Sequence, residues 1–331
     1  MESRFASYDG TEIGYRVLGD GPPLICLPGG PARVGEYLGD LGGLHEQRQL
    51  IIPDTRGTGL SASPADTDSF RVDRLVRDVE ALRAHLGLDQ IDLLAHSAAA
   101  TLGVLYAAAH PERIAAFILV TPALPVLGID GDEAEARAVL ARRLGEPWYA
   151  AALAAMEKAA AGDRSPEVSI ATRPFYYGRW DDAARRHATV GISQRNRAAR
   201  DGYWAGVTFD PPATRAAIAK LTAPVLLHAG EADAFPTVTQ VRQAAALFPD
   251  ASVTVQPGAG HFPWVDDPAA FATTVGWFLG ESRLSVRDKG CSWAVGRPAP
   301  VRRRRCWRGR SAAGPARCPL AAWPGSRTCC R

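Results

Sequence analysis

Short apolar runs and longer amphipathic stretches alternate along the first 120 residues. Runs at 23–27, 50–53, 91–95 and 114–120 are almost wholly apolar. Such runs predict strands buried on both faces, as in a parallel sheet. Between them, residues 71–86 place Leu75, Val76, Val79, Leu82 and Leu86 at spacings of 1, 3, 3 and 4. That spacing is one face of a helix. Residues 98–110 are Ala-rich and stop before Pro111, which predicts a second helix. Alternation of this kind implies a parallel sheet with helices on both faces. The opening segment, 4–19, alternates more strictly and breaks at Asp9-Gly10, so it predicts a hairpin.

The pattern changes at about residue 123. Strand-like runs vanish as far as 221, and Ala, Arg and Glu dominate stretches such as 132–144 and 148–161. We expect a mostly helical insertion of the size of a lid. Strands resume at 224–229 and 252–256, each followed by a helix. The last helix should open at Asp267-Pro268, with Asp as the cap and Pro in the first turn, and run to about Gly280.

Composition divides the chain once more. Residues 282–331 hold 13 basic side chains against one acidic, and five of the six cysteines. They include Arg302-Arg303-Arg304-Arg305, many Pro and Gly, and no periodicity. The expectation is a disordered tail or a stretch outside the natural reading frame. A basic run attracts any polyanion, so nucleic acid enters as a partner only through this tail. The cysteine spacings match no zinc pattern. Residues 1–281 hold 25 basic and 34 acidic side chains and a single thiol, Cys26. One thiol permits no internal disulfide, which fits a reducing cytoplasm. The N-terminus has no apolar core of a signal peptide, and no run of about 18 residues lacks charges or breakers, so no membrane span is expected.

Candidate chemistry sits at strand ends. Leu93-Leu94-Ala95-His96-Ser97-Ala98-Ala99-Ala100 takes a buried strand into a helix with a serine on the turn. This is the context of a nucleophile elbow, although a Ser-capped Ala-rich helix would look similar. Asp233 follows the strand at 224–229 in Gly230-Glu231-Ala232-Asp233. His261 follows the strand at 252–256 in Gly258-Ala259-Gly260-His261-Phe262. Ser97, Asp233 and His261 thus occur in the order nucleophile, acid, base. A serine hydroxyl needs a base to take its proton, and the base needs an acid to fix its tautomer. Leu27-Pro28-Gly29-Gly30-Pro31-Ala32 follows the strand at 23–27. Its glycines can turn N–H groups toward a developing oxyanion, beside the N–H of Ala98.

These segments, together with Asp54-Thr55-Arg56-Gly57-Thr58-Gly59-Leu60-Ser61, resemble the α/β-hydrolase-fold serine hydrolases. The resemblance covers about residues 4–281 and is greatest to the branch of proline iminopeptidases, esterases and lactonases. It implies a mostly parallel eight-stranded sheet with helices on both faces and an inserted helical cap. The corresponding domains are a core at 1–122 and 222–281, a cap at 123–221 and the tail at 282–331. It also implies an acyl-enzyme on Ser97 that is released by water activated by His261. Two departures stand out. Pro28 replaces the usual His of the oxyanion motif, and Ala95 and Ala99 replace the elbow glycines. Where an iminopeptidase keeps an acid for the substrate's free amine, this chain shows Arg200 and Asp201.

The resulting expectation is a hydrolase of a small ester, lactone, thioester or amide. Ser97, Asp233 and His261 form its triad, and Gly30 and Ala98 its oxyanion hole. The enzymatic alternative is a proline iminopeptidase. A ligand-binding protein without hydrolysis is the alternative outside catalysis. Gly29, Trp148, Tyr176, Trp180, Trp204 and Phe262 are candidate substrate contacts, and Trp148, Tyr176, Trp180 and Trp204 serve otherwise as the cap's own core. His96 is expected to pack within the elbow, Asp54 and Arg56 to brace their loop, and Cys26 to be an inert core thiol. His45, His85, His110, His187 and His228 form no metal spacing, so no metal and no cofactor are expected. The only partner expected is a small-molecule substrate, and a homodimer is left open.

Overall fold

The computed structural model describes residues 1–163, 165–190 and 196–288. Eight strands form one sheet: β1 (Glu2–Ala6), β2 (Glu12–Leu18), β3 (Pro23–Leu27), β4 (Gln49–Pro53), β5 (Ile91–His96), β6 (Ile114–Val120), β7 (Val225–Gly230) and β8 (Ala251–Gln256). Their order across the sheet is β1-β2-β4-β3-β5-β6-β7-β8. The β1–β2 hairpin joins antiparallel to β4, and every other pairing is parallel. The apolar runs became strands because both their faces are covered. Every residue of β5 and β7 is buried.

Helices α1 (Val72–His85) and α2 (Ala99–Ala109) follow β4 and β5. Helix α1 turns Leu75, Val79 and Leu82 into the core. Burial of each contributes roughly 1.5–3 kcal/mol. Helix α2 is apolar all round because it lies inside the protein, with Leu102, Val104 and Tyr106 at most 2% exposed. Its Gly103 lets it close onto the sheet. A Cβ there would stand 3.0 Å from the Phe117 ring and 3.1 Å from the Ala95 Cβ.

Between β6 and β7 the described chain is helical: α3 (Glu133–Ala141), α4 (Tyr149–Ala160), α5 (Pro166–Ala171), α6 (Asp182–Thr189), α7 (Arg197–Tyr203) and α8 (Pro211–Ile218). Acidic or polar caps begin several of them, with Asp132, Ser165, Asp181, Asn196 and Asp210 each accepting from a first-turn N–H. Helix α9 (Val238–Ala245) follows β7, and α10 (Pro263–Asp266) and α11 (Pro268–Asp288) follow β8. Helix α11 begins where Asp267-Pro268 predicts, but it continues eight residues beyond Gly280. A glycine costs a helix interior only about 1 kcal/mol, and no proline stands at 281–288 to stop it. The expected helix end near Gly280 is therefore corrected to Asp288. The arginine run and the five tail cysteines lie outside the described residues. No helix among the described residues is long and apolar enough to cross a membrane.

Candidate active site

Three loops at the carboxyl ends of β5, β7 and β8 bring the predicted residues together. Ser97 stands between β5 and α2 with φ +54°, a left-handed conformation that costs a non-glycine residue roughly 1–2 kcal/mol. Neighbouring backbone holds it there. Its N–H donates to the Val120 carbonyl at 3.0 Å, and its carbonyl accepts from Ala100 and Ala123 at 2.9 and 3.0 Å. Ala95 and Ala99 are 0% and 1% exposed, so the elbow tolerates a methyl group but little more.

The Ser97 Oγ lies 2.8 Å from His261 Nε2, and His261 Nδ1 lies 2.7 Å from Asp233 Oδ2. A carboxylate only accepts, so His261 donates its Nδ1–H and leaves Nε2 to accept from the serine hydroxyl. Asp233 is 1% exposed, and its other oxygen accepts from the Phe235 N–H at 2.9 Å. The His261 loop is tied to the helical segment as well. The His261 N–H donates to the Tyr176 carbonyl at 2.8 Å. The Asp266 carboxylate accepts from Gly260 and Gly178, both at 2.8 Å. Burial raises the Asp266 pKa against the effect of those amides.

The glycine pair divides into two jobs. The Gly29 N–H donates to the Tyr37 hydroxyl at 2.7 Å, so Gly29 is corrected from a substrate contact to a bracing residue. A Cβ on Gly29 would meet the His96 carbonyl at 2.5 Å, which explains why the position needs glycine. Gly30 has φ +126° and lines the cavity above Ser97 together with Ala98. Among the described residues, neither the Gly30 N–H nor the Ala98 N–H donates to a protein acceptor.

His96 does more than pack. Its Nε2–H donates to the His261 carbonyl at 3.0 Å, and its Nδ1 accepts from Tyr37 at 2.6 Å. Burial pushes its pKa well below the usual histidine range, so it remains a neutral bridge. Thr121, φ +40°, donates its hydroxyl to the same His261 carbonyl at 3.0 Å. Sequence reasoning did not single out Tyr37 or Thr121. Tyr37 lies on a single 3₁₀ turn and Thr121 just past a strand, and neither place has a periodic signature.

Asp54 and Arg56 brace as expected. Asp54 accepts from Gly35, Leu60 and Arg16 at 2.7–2.9 Å. The Arg56 side chain is wholly buried and paired with Asp78 and Asp9. Cys26 is fully buried, and burial raises its thiol pKa far above the usual value.

The cavity at Ser97 has a volume of about 400 Å³, and Tyr176, Trp204 and Phe262 line it. Trp148 and Trp180 do not. Trp148 packs edge-on to Phe175, ring centres 5.2 Å apart, within the helical segment. Trp180 packs on Tyr177 at 5.4 Å. For these two, core packing prevailed over the pocket. Arg33 and Arg173 also line the cavity and went unnoticed in the sequence. A larger apolar cavity of about 610 Å³ lies alongside, between α3, α4 and α9, and shares Ala123 and Phe235 with the first.

Residues 22–268 match the family model of the α/β-hydrolase fold, and the chain belongs to that family. It is 36% identical over 106 residues to a proline iminopeptidase of Heyndrickxia coagulans, covering 32% of this chain and 37% of that enzyme. The first curated relatives are thus matched over only about two fifths of their length. Solved structures extend the likeness in fold. The proline iminopeptidase of Mycobacterium smegmatis superposes with a TM-score of 0.66 at 22% identity, over 86% of this chain and 100% of that one. The esterase RhEst1 of Rhodococcus sp. ECU1013 gives 0.64 at 24% identity, over 84% and 98%.

Proposed function

We propose that this protein is a serine hydrolase that cleaves a small ester, lactone or thioester through an acyl-enzyme. One observation carries the reading: an unbroken hydrogen-bonded chain from Ser97 through His261 to Asp233, with Ser97 on a strained turn. In this mechanism the Ser97 oxygen attacks the carbonyl carbon while its proton passes to His261 Nε2. Asp233 stabilises the imidazolium. The Gly30 and Ala98 amides receive the oxyanion, where one donor is worth about 3–4 kcal/mol. Collapse expels the leaving group with the proton from His261. A water molecule then repeats the sequence and frees the acid. The helical segment 123–221 acts as the lid, and Tyr176 and Trp204 on it bound the substrate.

An ester fits this cavity better than an N-terminal proline. A free amine needs an acid beside it, yet no Asp or Glu lines the cavity among the described residues. Asp201 is half exposed and paired with Arg200. The test compares wild type with Ser97→Ala on a short aryl ester and on a prolyl-aminocoumarin amide. Ester cleavage that vanishes in the variant supports the reading. Faster prolyl-amide cleavage would replace it with the iminopeptidase. If Ser97 cleaves neither and resists a fluorophosphonate, the protein binds ligands without hydrolysis.

A further inference from the structure

Two arginines face the cavity without a carboxylate partner. Arg33 is 3% exposed and Arg173 is 8% exposed, and both line the same space as Ser97. Arg33 stacks on the Tyr37 ring at 4.0 Å and donates to the Val190 carbonyl at 2.6 Å. Its Nε is buried and has no partner among the described residues. Arg173 is held at one edge, where its Nε donates to the Ser169 carbonyl at 3.1 Å. Among the described residues, neither forms an ion pair. Residues 191–195, next along the chain from Val190, contain no Asp or Glu.

A buried cation without a counter-charge is costly, and proteins pair such groups or keep them for a ligand. The groups that act on Arg33 include Tyr37, Tyr177 and Arg173, and none of these three is a carboxylate. Burial and the neighbouring cation push Arg33 down to about 10, which leaves it charged near neutrality. Asp233 forms no ion pair with either arginine, and its oxygens accept from His261 and the Phe235 amide. Among the described residues, the cavity is therefore lined by two positive side chains beside its nucleophile and by no carboxylate. The adjoining apolar cavity supplies no such charge pair at Ser97.

We propose that Arg33 and Arg173 form an anion subsite in the catalytic cavity, and that the substrate is an ester, thioester or lactone bearing a carboxylate. The planar guanidinium fork suits a carboxylate, and two forks near one nucleophile fix which end of the substrate meets Ser97. The inference rests on the hydrolase reading for its chemistry, but the subsite itself can be measured without turnover.

The experiment has two arms. In the first, kcat/KM is compared for mono-4-nitrophenyl adipate and for 4-nitrophenyl hexanoate, a neutral ester of the same chain length. Wild type should prefer the adipate ester by about tenfold or more, as expected for a carboxylate bound by a buried cation. Arg173→Met should abolish that preference, and Arg173→Lys should retain its sign. In the second arm, adipate is titrated into Ser97→Ala protein by calorimetry, and Arg173→Met in that background should weaken binding by a similar factor. Hydrolysis of both esters without preference, with no adipate binding, overturns the subsite and leaves the hydrolase intact. Adipate binding that depends on Arg173, without cleavage of either ester, supports the subsite and removes the hydrolase. Tighter binding of inorganic phosphate than of adipate overturns the carboxylate assignment.

Discussion

Replacing Tyr37 by Phe removes one hydroxyl that joins the oxyanion loop, the elbow and the base loop. That hydroxyl accepts from the Gly29 N–H at 2.7 Å and donates to His96 Nδ1 at 2.6 Å. His96 in turn holds the His261 carbonyl at 3.0 Å. Tyr37 is 2% exposed, so water cannot take the place of its hydroxyl without repacking. Each buried group left without a partner costs about 1–3 kcal/mol, so two groups give roughly 3 kcal/mol. At about 2–4 °C per kcal/mol, Tm should fall by roughly 6–12 °C. The aromatic ring remains, so the apolar packing is nearly unchanged. Activity should fall further than stability alone explains, because Gly30 and His261 lose their shared support. Misplacement by about 1 Å can cost a hundredfold, so a drop in kcat of at least about tenfold is expected, with KM for a neutral ester little changed. Tyr15→Phe is the control, since it deletes a hydroxyl–histidine contact of 3.2 Å with His85 elsewhere on the sheet. It should lower Tm without lowering kcat. Thermal melts and steady-state kinetics on an aryl ester decide the matter. A Tyr37→Phe protein that loses stability but keeps its kcat would refute the positioning role. A Tm within about 2 °C of wild type would refute the network itself.

Other perturbations test separate links. Asp233→Asn should leave the fold intact and lower kcat by about 10³–10⁴-fold, since an amide holds the wrong tautomer of His261; circular dichroism with kinetics checks both halves. Gly30→Ala should lower kcat by a hundredfold or so, because φ is +126° and a Cβ would meet that of Arg33 at 2.6 Å; a loss confined to KM would count against an oxyanion role for this amide. Arg56→Met should destabilise by about 3–5 kcal/mol in denaturant titration, as it strands Asp9 and Asp78 beside a buried site, and a loss under about 1 kcal/mol would contradict that. Acid should begin to weaken the fold above the range where free carboxylates titrate. Burial pushes His187 and His228 each down to about 4, from 6.5 in the unfolded chain. The unfolded chain therefore takes up protons that the native protein refuses, and stability falls as pH drops from about 6.5 to 4. Each histidine removes up to about 3 kcal/mol over that window, and a Tm flat between pH 7 and 4.5 would overturn the assignment.

What the sequence revealed, and what it withheld, follows from the range of the interactions. Strands β3 to β7 were legible because a strand buried on both faces has no choice but apolar residues. Ser97, Asp233 and His261 were legible because each ends a strand in small or glycine-rich turn chemistry, which a tight loop requires locally. Tyr37, Thr121, Arg33 and Arg173 were not, since their roles depend on which loops meet. Tyr37 and His96 are 59 residues apart, and Thr121 and His261 are 140 apart. No periodicity spans such distances. The aromatic residues of the helical segment show the same limit from the other side. Trp148 and Trp204 are alike in sequence, yet Trp148 packs on Phe175 while Trp204 faces Ser97's cavity. A signal for Arg33 did exist, in a charged residue two positions after Gly30-Pro31, amid a loop whose neighbours are buried. Its place depended on Arg173, 140 residues later, which only the fold brings to the same cavity. The order of Ser97, Asp233 and His261 is therefore written locally, and the meeting of Arg33 with Arg173 only in the closed fold.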